Sequence, residues 1–506
     1  MTTKNHVLIA DQSIRWQDIV NVARHGYRLE LSESAWNRII NAQDIVQAIV
    51  KSGHTAYGIN TGLGSLCNVR LTTKQLSELS RNTLLSHACG VGPALKDEQC
   101  RAIICAAIAN YSKGKSGINK SVVQGLIDLL NRGITPQVPS QGSVGYLTHM
   151  AHIGVSLLGM GKVSYQGNIM PCHEAFVNEG LSPIALGPKD GLSLVNGTPC
   201  MTGLTCLAIA DAKNLTVWAD AISALSIEAL EGQQDAFSEE ALSLKPYIGV
   251  QQVGLNIRSL LKGSDNLTSH HGIRTQDALS IRSIPQVHGA IRDQLEHVIQ
   301  QVNIELNSAT DNPLVLGTPD NFKVLSQANP HGESVAISAD LLAISMAELG
   351  GISERRLDRL VNPLVSGLPA YLVSEPGVNS GMMIVQYVSA SLCSENKRLA
   401  VPAVTDNYVT SALQEDHLSM GTMAALKLLT VLENTTKILA IEYLCAAQAC
   451  EFIQPSTLGK GSHQVWLHLR QHIPPYDTDR WLAPDIEVCT DLITHKSPTT
   501  LVPELI

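Results

Sequence analysis

The chain has 506 residues, of which 44% are hydrophobic and 16% charged, with a formal net charge of -9 and a pI near 6.0. A composition this apolar and this weakly charged excludes an intrinsically disordered protein. The net negative charge also disfavours a positively charged nucleic-acid-binding surface. The low aromatic content of 4% disfavours a surface on which the bases of a single strand stack.

The N-terminal residues and the cysteines bear on the cellular compartment in which the protein is expected. The opening stretch MTTKNHVLIADQS lacks the cationic segment followed by an apolar segment that is typical of a signal peptide. The eleven cysteines are scattered and match neither a zinc module nor a disulfide framework. Uninterrupted apolar runs such as 102–109 are shorter than the roughly 20 residues of a membrane-spanning helix. We therefore expect a soluble, cytoplasmic protein that contacts neither membrane nor nucleic acid.

Residues 1–200 are predicted to form a loop-rich N-terminal region. Short helical stretches alternate with glycine-bearing turns at 57–65, 87–93 and 138–145. Glycine-rich loops bring backbone amides and neighbouring side chains close to a ligand. Much of a functional site is expected in this region.

Residues 201–506 are predicted to form a long-helix bundle and C-terminal helices. In 288–306 six apolar residues follow the helical period: Ile291, Leu295, Val298, Ile299, Val302 and Leu306. The stretch 419–450 is rich in Ala, Leu and Met, as in a helix buried on several sides. Gly350, Gly351 and several prolines are expected to interrupt other helices. The fold class is mainly α, with both regions in one continuous unit.

Eight segments together resemble the aromatic amino-acid lyase family, and in particular its histidine ammonia-lyases. They occur in family order and cover nearly the whole chain: YGINTGLG (57–64), RNTLLSHACGVG (81–92), GLSLVNGT (191–198), ELNSATDNPL (305–314), ISERR (352–356), SGLPAYL (366–372), NSGMM (379–383) and SALQEDHLSMG (411–421). The resemblance implies an all-α homotetramer whose active sites each draw on more than one subunit.

The resemblance assigns roles to four residues. Tyr57 matches a loop tyrosine that acts as a base, and Asn196 matches a residue that positions the reactive centre. Arg282 matches the clamp on the substrate carboxylate, a role that suits a planar guanidinium which stays charged. Gln276 matches a residue of the pocket. The implied ligand is a small carboxylate.

His87 and Glu415 match the positions at which histidine-selective members recognise the imidazole ring. One ring N–H can donate to a carboxylate while the other ring nitrogen accepts a hydrogen bond, so the pair suits an imidazole. Without the resemblance, Glu415 would be interpreted as a member of an ion pair and His87 as a turn residue.

The segment that forms the family's electrophile differs in this chain. Members carry Ala-Ser-Gly after GSVG, and these three residues cyclise to a methylidene-imidazolone. Here GSVG (142–145) runs directly into YLTHMAH (146–152), which leaves a gap of three residues. Ser143 belongs to the preceding GSVG and is no substitute. The sequence therefore predicts no cofactor.

Four further positions depart from the family pattern. Tyr146 stands where members carry Asp, and His149 where they carry Pro. Leu279 occupies the position of a catalytic tyrosine, and Pro330 that of an aromatic residue lining the pocket. The positions that bind substrate in the family are thus retained, while positions that take part in its reaction are changed.

These observations lead to one hypothesis and two alternatives. The hypothesis is a divergent lyase that binds an amino-acid-like or ring-bearing carboxylate and uses electrophile-independent elimination, addition or proton transfer, with protons moved by Tyr57, Tyr146 or His149. The first alternative is an ordinary histidine ammonia-lyase whose cyclised tripeptide is omitted from the printed chain. The second is an inactive binding or scaffold homologue. The spacing of His149 and His152, with His87 nearby, would also allow a metal site, but no metal is expected.

Overall fold

The computed structural model describes residues 5–53, 56, 58–62 and 71–506. The chain forms two compact units, each assembled from three stretches of sequence. The first comprises Met1–Ile209, Val298–Asp340 and Pro402–Leu426. The second comprises Ala210–His297, Leu341–Val401 and Lys427–Ile506. The predicted division near residue 200 stays a prediction.

Helices dominate the described residues, as predicted. The α-helices of the first unit are Trp16–Ala23, Glu33–Ser52, Thr73–His87, Asp97–Tyr111, Lys120–Asn131, Thr148–Leu157, Cys172–Glu179 and Asp190–Val195. Those of the second are Glu239–Ser243, Ile248–Leu261, Asp265–Ser269, Leu279–Arg282, Pro363–Ser366, Met383–Leu399, Lys460–Arg470 and Ala483–His495. Four long helices contain residues of both units: Pro199–Ala229, Ile284–Leu306, Glu333–Val361 and Gly421–Ala449. Short 3-10 helices cover Gln234–Phe237, Ala370–Leu372, Cys450–Phe452, Pro455–Thr457 and Pro498–Thr500.

The strands of the described residues are short and belong to the first unit. His6–Ile9 pairs in parallel with Arg28–Leu31. The antiparallel pairs are Val91–Ala94 with Pro139–Gln141, Thr135–Pro136 with Lys162–Tyr165, Lys162–Tyr165 with Asn168–Pro171, and Leu314–Thr318 with Asn321–Leu325. The strand Pro139–Gln141 leads directly into the segment where the family forms its electrophile.

The two long helices expected from the apolar pattern are confirmed. Ile284–Leu306 contains the six residues of the predicted face, and each of them is buried. The predicted stretch 419–450 corresponds to helix Gly421–Ala449.

The expected interruption at Gly350 and Gly351 is wrong. Both residues lie inside the continuous helix Glu333–Val361. A Cβ added to Gly350 would lie only 3.1 Å from Ile438 Cδ1. The first of these glycines therefore permits close packing between helices and does not end one.

A buried charge network lies inside the second unit. Arg356 donates to Glu442 through Nε at 2.6 Å and through Nη2 at 2.8 Å, and neither side chain is exposed. Two serine hydroxyls complete the shell of the carboxylate: Ser226 at 2.7 Å and Ser353 at 2.6 Å. A buried ion pair is tolerated only when such additional hydrogen bonds satisfy it.

A second buried carboxylate lies beside this pair. Asp220 accepts from Arg292 Nη2 at 2.7 Å and Asn256 Nδ2 at 2.9 Å, and its Oδ1 lies 2.8 Å from His288 Nδ1. Burial opposes ionisation of Asp220, but the charge of Arg292 and the contact with His288 hold its pKa below the usual value. Burial lowers the pKa of His288. A neutral imidazole with hydrogen on Nδ1 fits these contacts.

Two stretches meet the length and hydropathy of a membrane span. They are Asp190–Ala229, whose most apolar window is 100% buried in the structure, and Glu333–Val361, whose window is 67% buried. A core helix of a soluble protein meets the same criterion. Burial within the structure accounts for the apolar character of the first stretch.

We predict that Glu442→Gln destabilises the protein by about 3–5 kcal/mol, because it leaves Arg356 buried without a counter-charge. The measurement is the free energy of urea unfolding. The control is Lys437→Ala, an exposed position on the same helix, Gly421–Ala449. A loss below about 1 kcal/mol, the range of a surface pair, would show that the ion pair does not stabilise the fold.

Candidate functional site

The carboxylate of Asp311 fixes the predicted site residue Asn196. Asn196 Nδ2 donates to Asp311 Oδ1 at 3.0 Å and to the carbonyl of Asn312 at 2.8 Å. Three buried donors share the other carboxylate oxygen: Lys189 Nζ at 2.5 Å, Ser116 Oγ at 2.7 Å and Ser193 Oγ at 2.9 Å. Both amide hydrogens of Asn196 are thus used, and its carbonyl oxygen is the atom that it can offer to a ligand.

Asp311 is an ionised group inside the first unit. Burial alone would raise the pKa of its carboxyl group, but the ammonium of Lys189 and the surrounding hydrogen bonds hold that pKa below the usual value. Sequence reasoning missed Asp311 and Lys189 as supports of Asn196. The available signal was the Asp of the segment ELNSATDNPL (305–314).

His87 and Glu415 lie within electrostatic reach of each other in the first unit. His87 is the last residue of helix Thr73–His87, and its Nδ1 lies 2.9 Å from Ser86 Oγ. Partial burial lowers the pKa of His87, and the Glu415 carboxylate is among the groups that oppose this shift. The structure therefore brings together the two residues predicted to recognise an imidazole, and their role stays a prediction.

Glu415 closes a tight turn. Its backbone pairs with that of Thr410, and Thr410 Oγ1 donates to Glu415 Oε2 at 3.0 Å. The turn contains three consecutive non-glycine residues in the left-handed region: Ser411, Ala412 and Leu413, with φ of 52°, 51° and 70°. This conformation costs roughly 1–2 kcal/mol per residue, and such strain is concentrated at ligand sites.

The segment 142–148 is held tightly at both ends. Leu147 N donates to the carbonyl of Val195 at 3.0 Å, and Met420 N donates to that of Val144 at 2.9 Å. Gly145 has φ of 136°, and a Cβ at this position would collide with Ser419 Oγ. Tyr146, a predicted catalytic residue, is half-buried in this segment.

This segment does not fit the family's self-formed electrophile. In that ring the attacking amide nitrogen belongs to the residue after the serine, which is glycine in the family. Here the residue after Ser143 is Val144, whose branched side chain flanks the amide. The Ser143 hydroxyl is also engaged in the turn, since it donates towards the carbonyl of Tyr146 at 3.1 Å and accepts from Gly145 N at 3.2 Å. We therefore derive no chemical step through a methylidene-imidazolone.

His149 is a buried, neutral imidazole. Its Nε2 lies 3.2 Å from the carbonyl of Ser140, and Nδ1 has no hydrogen-bond partner among the described residues. Burial lowers the pKa of His149 to about 4. With so low a pKa the ring is not an imidazolium near neutral pH, so it cannot act as a general acid. These contacts favour a structural role over the predicted proton transfer.

His152 is likewise engaged with the backbone. Its Nε2 accepts from Gly90 N at 3.0 Å. The ring nitrogens of His149 and His152 that meet backbone groups are therefore unavailable to a shared metal ion.

Gln276 and Arg282 meet in the second unit. With Oε1 of Gln276 oriented towards the guanidinium, it accepts from Arg282 Nη2 and Nε at 3.1 Å. Arg282 ends the short helix Leu279–Arg282 and is half-buried. Leu279, at the position of the family's tyrosine, is 63% exposed. Because the Gln276 amide is neutral, it does not offset the positive charge of the guanidinium, which stays available to a carboxylate.

The predicted residues divide between the two units. His87, Tyr146, His149, Asn196 and Glu415 belong to the first unit, whereas Gln276 and Arg282 belong to the second. Tyr57 lies outside the described residues.

We predict that His149 makes the protein less stable in acid. Because the pKa of about 4 in the folded state lies below the ordinary value of 6.5, the unfolded state binds the proton more strongly between these values. The stabilisation is complete above pH 6.5 and is lost as the pH falls towards 4. Between pH 7.5 and pH 5 the loss amounts to about 2 kcal/mol.

The test compares the pH dependence of urea unfolding in the wild type and in His149→Gln. The variant should lose about 2 kcal/mol less than the wild type between pH 7.5 and pH 5. The control is His25→Gln at an exposed position. Parallel pH profiles for wild type and His149→Gln would refute the buried neutral imidazole.

Comparisons with known proteins agree with this architecture. The profile of the aromatic amino acid lyase family matches residues 14–471. A histidine ammonia-lyase from Symbiobacterium thermophilum is 44% identical over 479 residues, which are 94% of each chain. The crystal structure of histidine ammonia-lyase from Trypanosoma cruzi superimposes with a TM-score of 0.92 at 36% identity, covering 99% of this chain and 96% of the other.

A second solved structure is that of ergothionase from Treponema denticola, an ergothioneine-degrading enzyme in complex with desmethyl-ergothioneine sulfonic acid. It superimposes with a TM-score of 0.90 at 29% identity, covering 96% of this chain and 98% of the other. The family match and the similarity over nearly the full length leave one assignment: the chain belongs to the aromatic amino acid lyase family.

Proposed function

We propose that the protein is a carbon–nitrogen lyase that acts on an imidazole-bearing amino-acid carboxylate without a self-formed electrophile. We further propose that its preferred substrate carries a quaternary α-nitrogen. One observation carries the proposal: the recognition residues His87, Glu415 and Arg282 are present, while segment 142–148 does not fit the electrophile.

The leaving group explains how elimination proceeds without that electrophile. An ordinary α-amino group is a poor leaving group and has to be activated. A quaternary ammonium is activated already, because it departs as a neutral tertiary amine that takes the electrons of the Cα–N bond. A base removes the β-proton, the Cβ–H electrons form the Cα–Cβ double bond, and the amine leaves.

The substrate class is supported by a structural relative. The T. denticola ergothionase is named as degrading ergothioneine. Ergothioneine is a betaine whose α-nitrogen bears three methyl groups and whose ring is a 2-thioimidazole. A ring of this kind beside a carboxylate matches the groups assigned to His87, Glu415 and Arg282.

The proposal assigns each part of the substrate to a residue by the family resemblance, in active sites that each draw on more than one subunit. Arg282, braced by Gln276, binds the carboxylate through a planar fork. Glu415 and His87 recognise the ring, and Asn196 offers its carbonyl oxygen. Tyr57 and Tyr146 are the candidate bases, since the low pKa of His149 makes it a poor acceptor of the β-proton. We place this activity in a cytoplasmic homotetramer.

Conventional histidine deamination is the second candidate. The 44% identity with a histidine ammonia-lyase favours it, but it requires the cyclised tripeptide. The intact mass of the protein compared with its gene distinguishes the two candidates. A gene encoding three more residues, with a mass one tripeptide less two waters above the printed chain, would establish the conventional enzyme and overturn our proposal.

We predict that the purified protein forms the conjugated acrylate from histidine trimethylbetaine or ergothioneine at least about 10²-fold faster, in kcat/KM, than from histidine. The measurement is ultraviolet absorbance of the product together with detection of the released trimethylamine. Urocanate from histidine at comparable kcat/KM would refute the leaving-group argument. Binding of these compounds without turnover would instead establish the inactive homologue.

We also predict that Arg282→Ala weakens binding of imidazolepropionate, an unreactive ring carboxylate, by roughly 10²-fold, because two charge-assisted hydrogen bonds are lost. Arg282→Lys should recover only part of this affinity, since an ammonium cannot form the two parallel hydrogen bonds of a guanidinium with a carboxylate. Calorimetry measures both. Arg28→Ala, at an exposed position, is the control. Equal affinity in wild type and Arg282→Ala would exclude the carboxylate clamp.

A further inference from the structure

Three metal-ligating side chains converge in the first unit, outside the residues of the candidate site. His331 and Glu333 lie where a loop enters helix Glu333–Val361, and His417 lies in the loop before helix Gly421–Ala449. One potential ligand atom from each residue lies within 4.8 Å of the other two. The cluster unites residues that are 86 positions apart in the chain.

We infer that His331, Glu333 and His417 form a binding site for a divalent transition-metal ion of the zinc class. Two imidazoles and one carboxylate are a ligand set for zinc that leaves the fourth position to water or another ligand. Borderline-soft ions such as Zn²⁺ and Co²⁺ suit this set, whereas Mg²⁺ and Ca²⁺ prefer oxygen ligands only.

The spacing of the two imidazoles suits such an ion. His331 Nε2 and His417 Nδ1 are 3.1 Å apart. Two zinc–nitrogen bonds of about 2.0–2.1 Å at a tetrahedral angle place the nitrogens about 3.3 Å apart. The separation of the two nitrogens is therefore compatible with bonds to one ion, once the rings turn so that both lone pairs converge on it. Without an ion, one of the nitrogens carries hydrogen and donates to the other.

The carboxylate provides an independent indication of a ligand. Glu333 Oε2 is inaccessible to solvent and has no hydrogen-bond partner among the described residues. This oxygen lies 3.8 Å from His331 Nδ1, too far for a hydrogen bond. The Glu333 side chain as a whole is 37% exposed, but this oxygen is shielded from solvent, and a bound cation would satisfy it. Tetrahedral coordination requires a closer spacing than the 4.8 Å within which the three atoms lie, so the Glu333 side chain has to move towards the imidazoles when an ion binds.

The position of the site has a consequence for its surroundings. His417 is two residues from Glu415, and Pro330, which is buried, precedes His331. An ion that joins His331 to His417 would fix the loop 407–418 to the entrance of helix Glu333–Val361. Metal binding would therefore restrict the segment that carries Glu415.

The experiment uses the untagged full-length protein, freed of metal with EDTA and dialysed. Zn²⁺ binding is measured by calorimetry, and Co²⁺ binding by the visible d–d absorption of a tetrahedral complex. We expect one tight site per chain and a rise in Tm with Zn²⁺. His417→Gln and Glu333→Gln should each weaken Zn²⁺ binding by at least roughly 10-fold and remove the Co²⁺ spectrum, because even loss of an outer partner of a ligand costs about 10- to 100-fold.

The control is His173→Gln, an exposed histidine of the same unit outside the cluster. It should bind Zn²⁺ like the wild type, which shows that loss of an exposed histidine outside the cluster does not by itself weaken binding. His417 is exposed, so its replacement should leave the fold intact, as circular dichroism verifies. Absence of stoichiometric Zn²⁺ binding, or equal affinity in the wild type and both cluster variants, would overturn the inference. Neither result depends on turnover of any substrate.

Discussion

A carboxylate that is buried has to be neutralised and hydrogen-bonded where it lies, and Asp311 meets this constraint inside the first unit. Its partners come from separate stretches of the chain, namely Lys189, Ser116 and Asn196. Removing Lys189 would leave the charge uncompensated inside the protein, and removing Ser116 or Asn196 would leave the carboxylate with fewer hydrogen bonds. The orientation of Asn196 is thus a consequence of charge satisfaction and does not need a ligand to set it.

The second unit meets the same requirement at Glu442 and Asp220, through Arg356 and Arg292. In both units, polar side chains are therefore held at defined positions inside largely apolar helices. Such networks specify positions more than they add stability, because the desolvation of the charges offsets much of their attraction. Arg282, in contrast, is half-buried and braced by a neutral amide, which leaves its charge available to a carboxylate.

The reaction that the protein can catalyse depends on the reactive groups that segment 142–148 offers to a substrate. Its serine hydroxyl is engaged within the turn, and the residue after Ser143 is β-branched. His149, which departs from the family pattern, is turned to the backbone of Ser140 and is neutral. The family architecture and the motif positions of His87, Glu415 and Arg282 are present in this chain, whereas segment 142–148 departs from the family sequence. The substrate that we propose, which carries its own leaving group, is our explanation for this combination.

Several features followed from the sequence because they depend on local pattern. The helical period of the apolar residues predicted Ile284–Leu306, since a buried face repeats every 3.6 residues wherever the helix packs. The motif order predicted the family, and the gap after GSVG is itself a property of the sequence. Other features arise only when distant segments meet. Gly350 lies inside a continuous helix at a close contact with Ile438, and Asn196 is oriented by Asp311. The pKa of His149 and the His331–His417 cluster likewise depend on burial and on contacts between residues far apart in the chain, which no local pattern encodes.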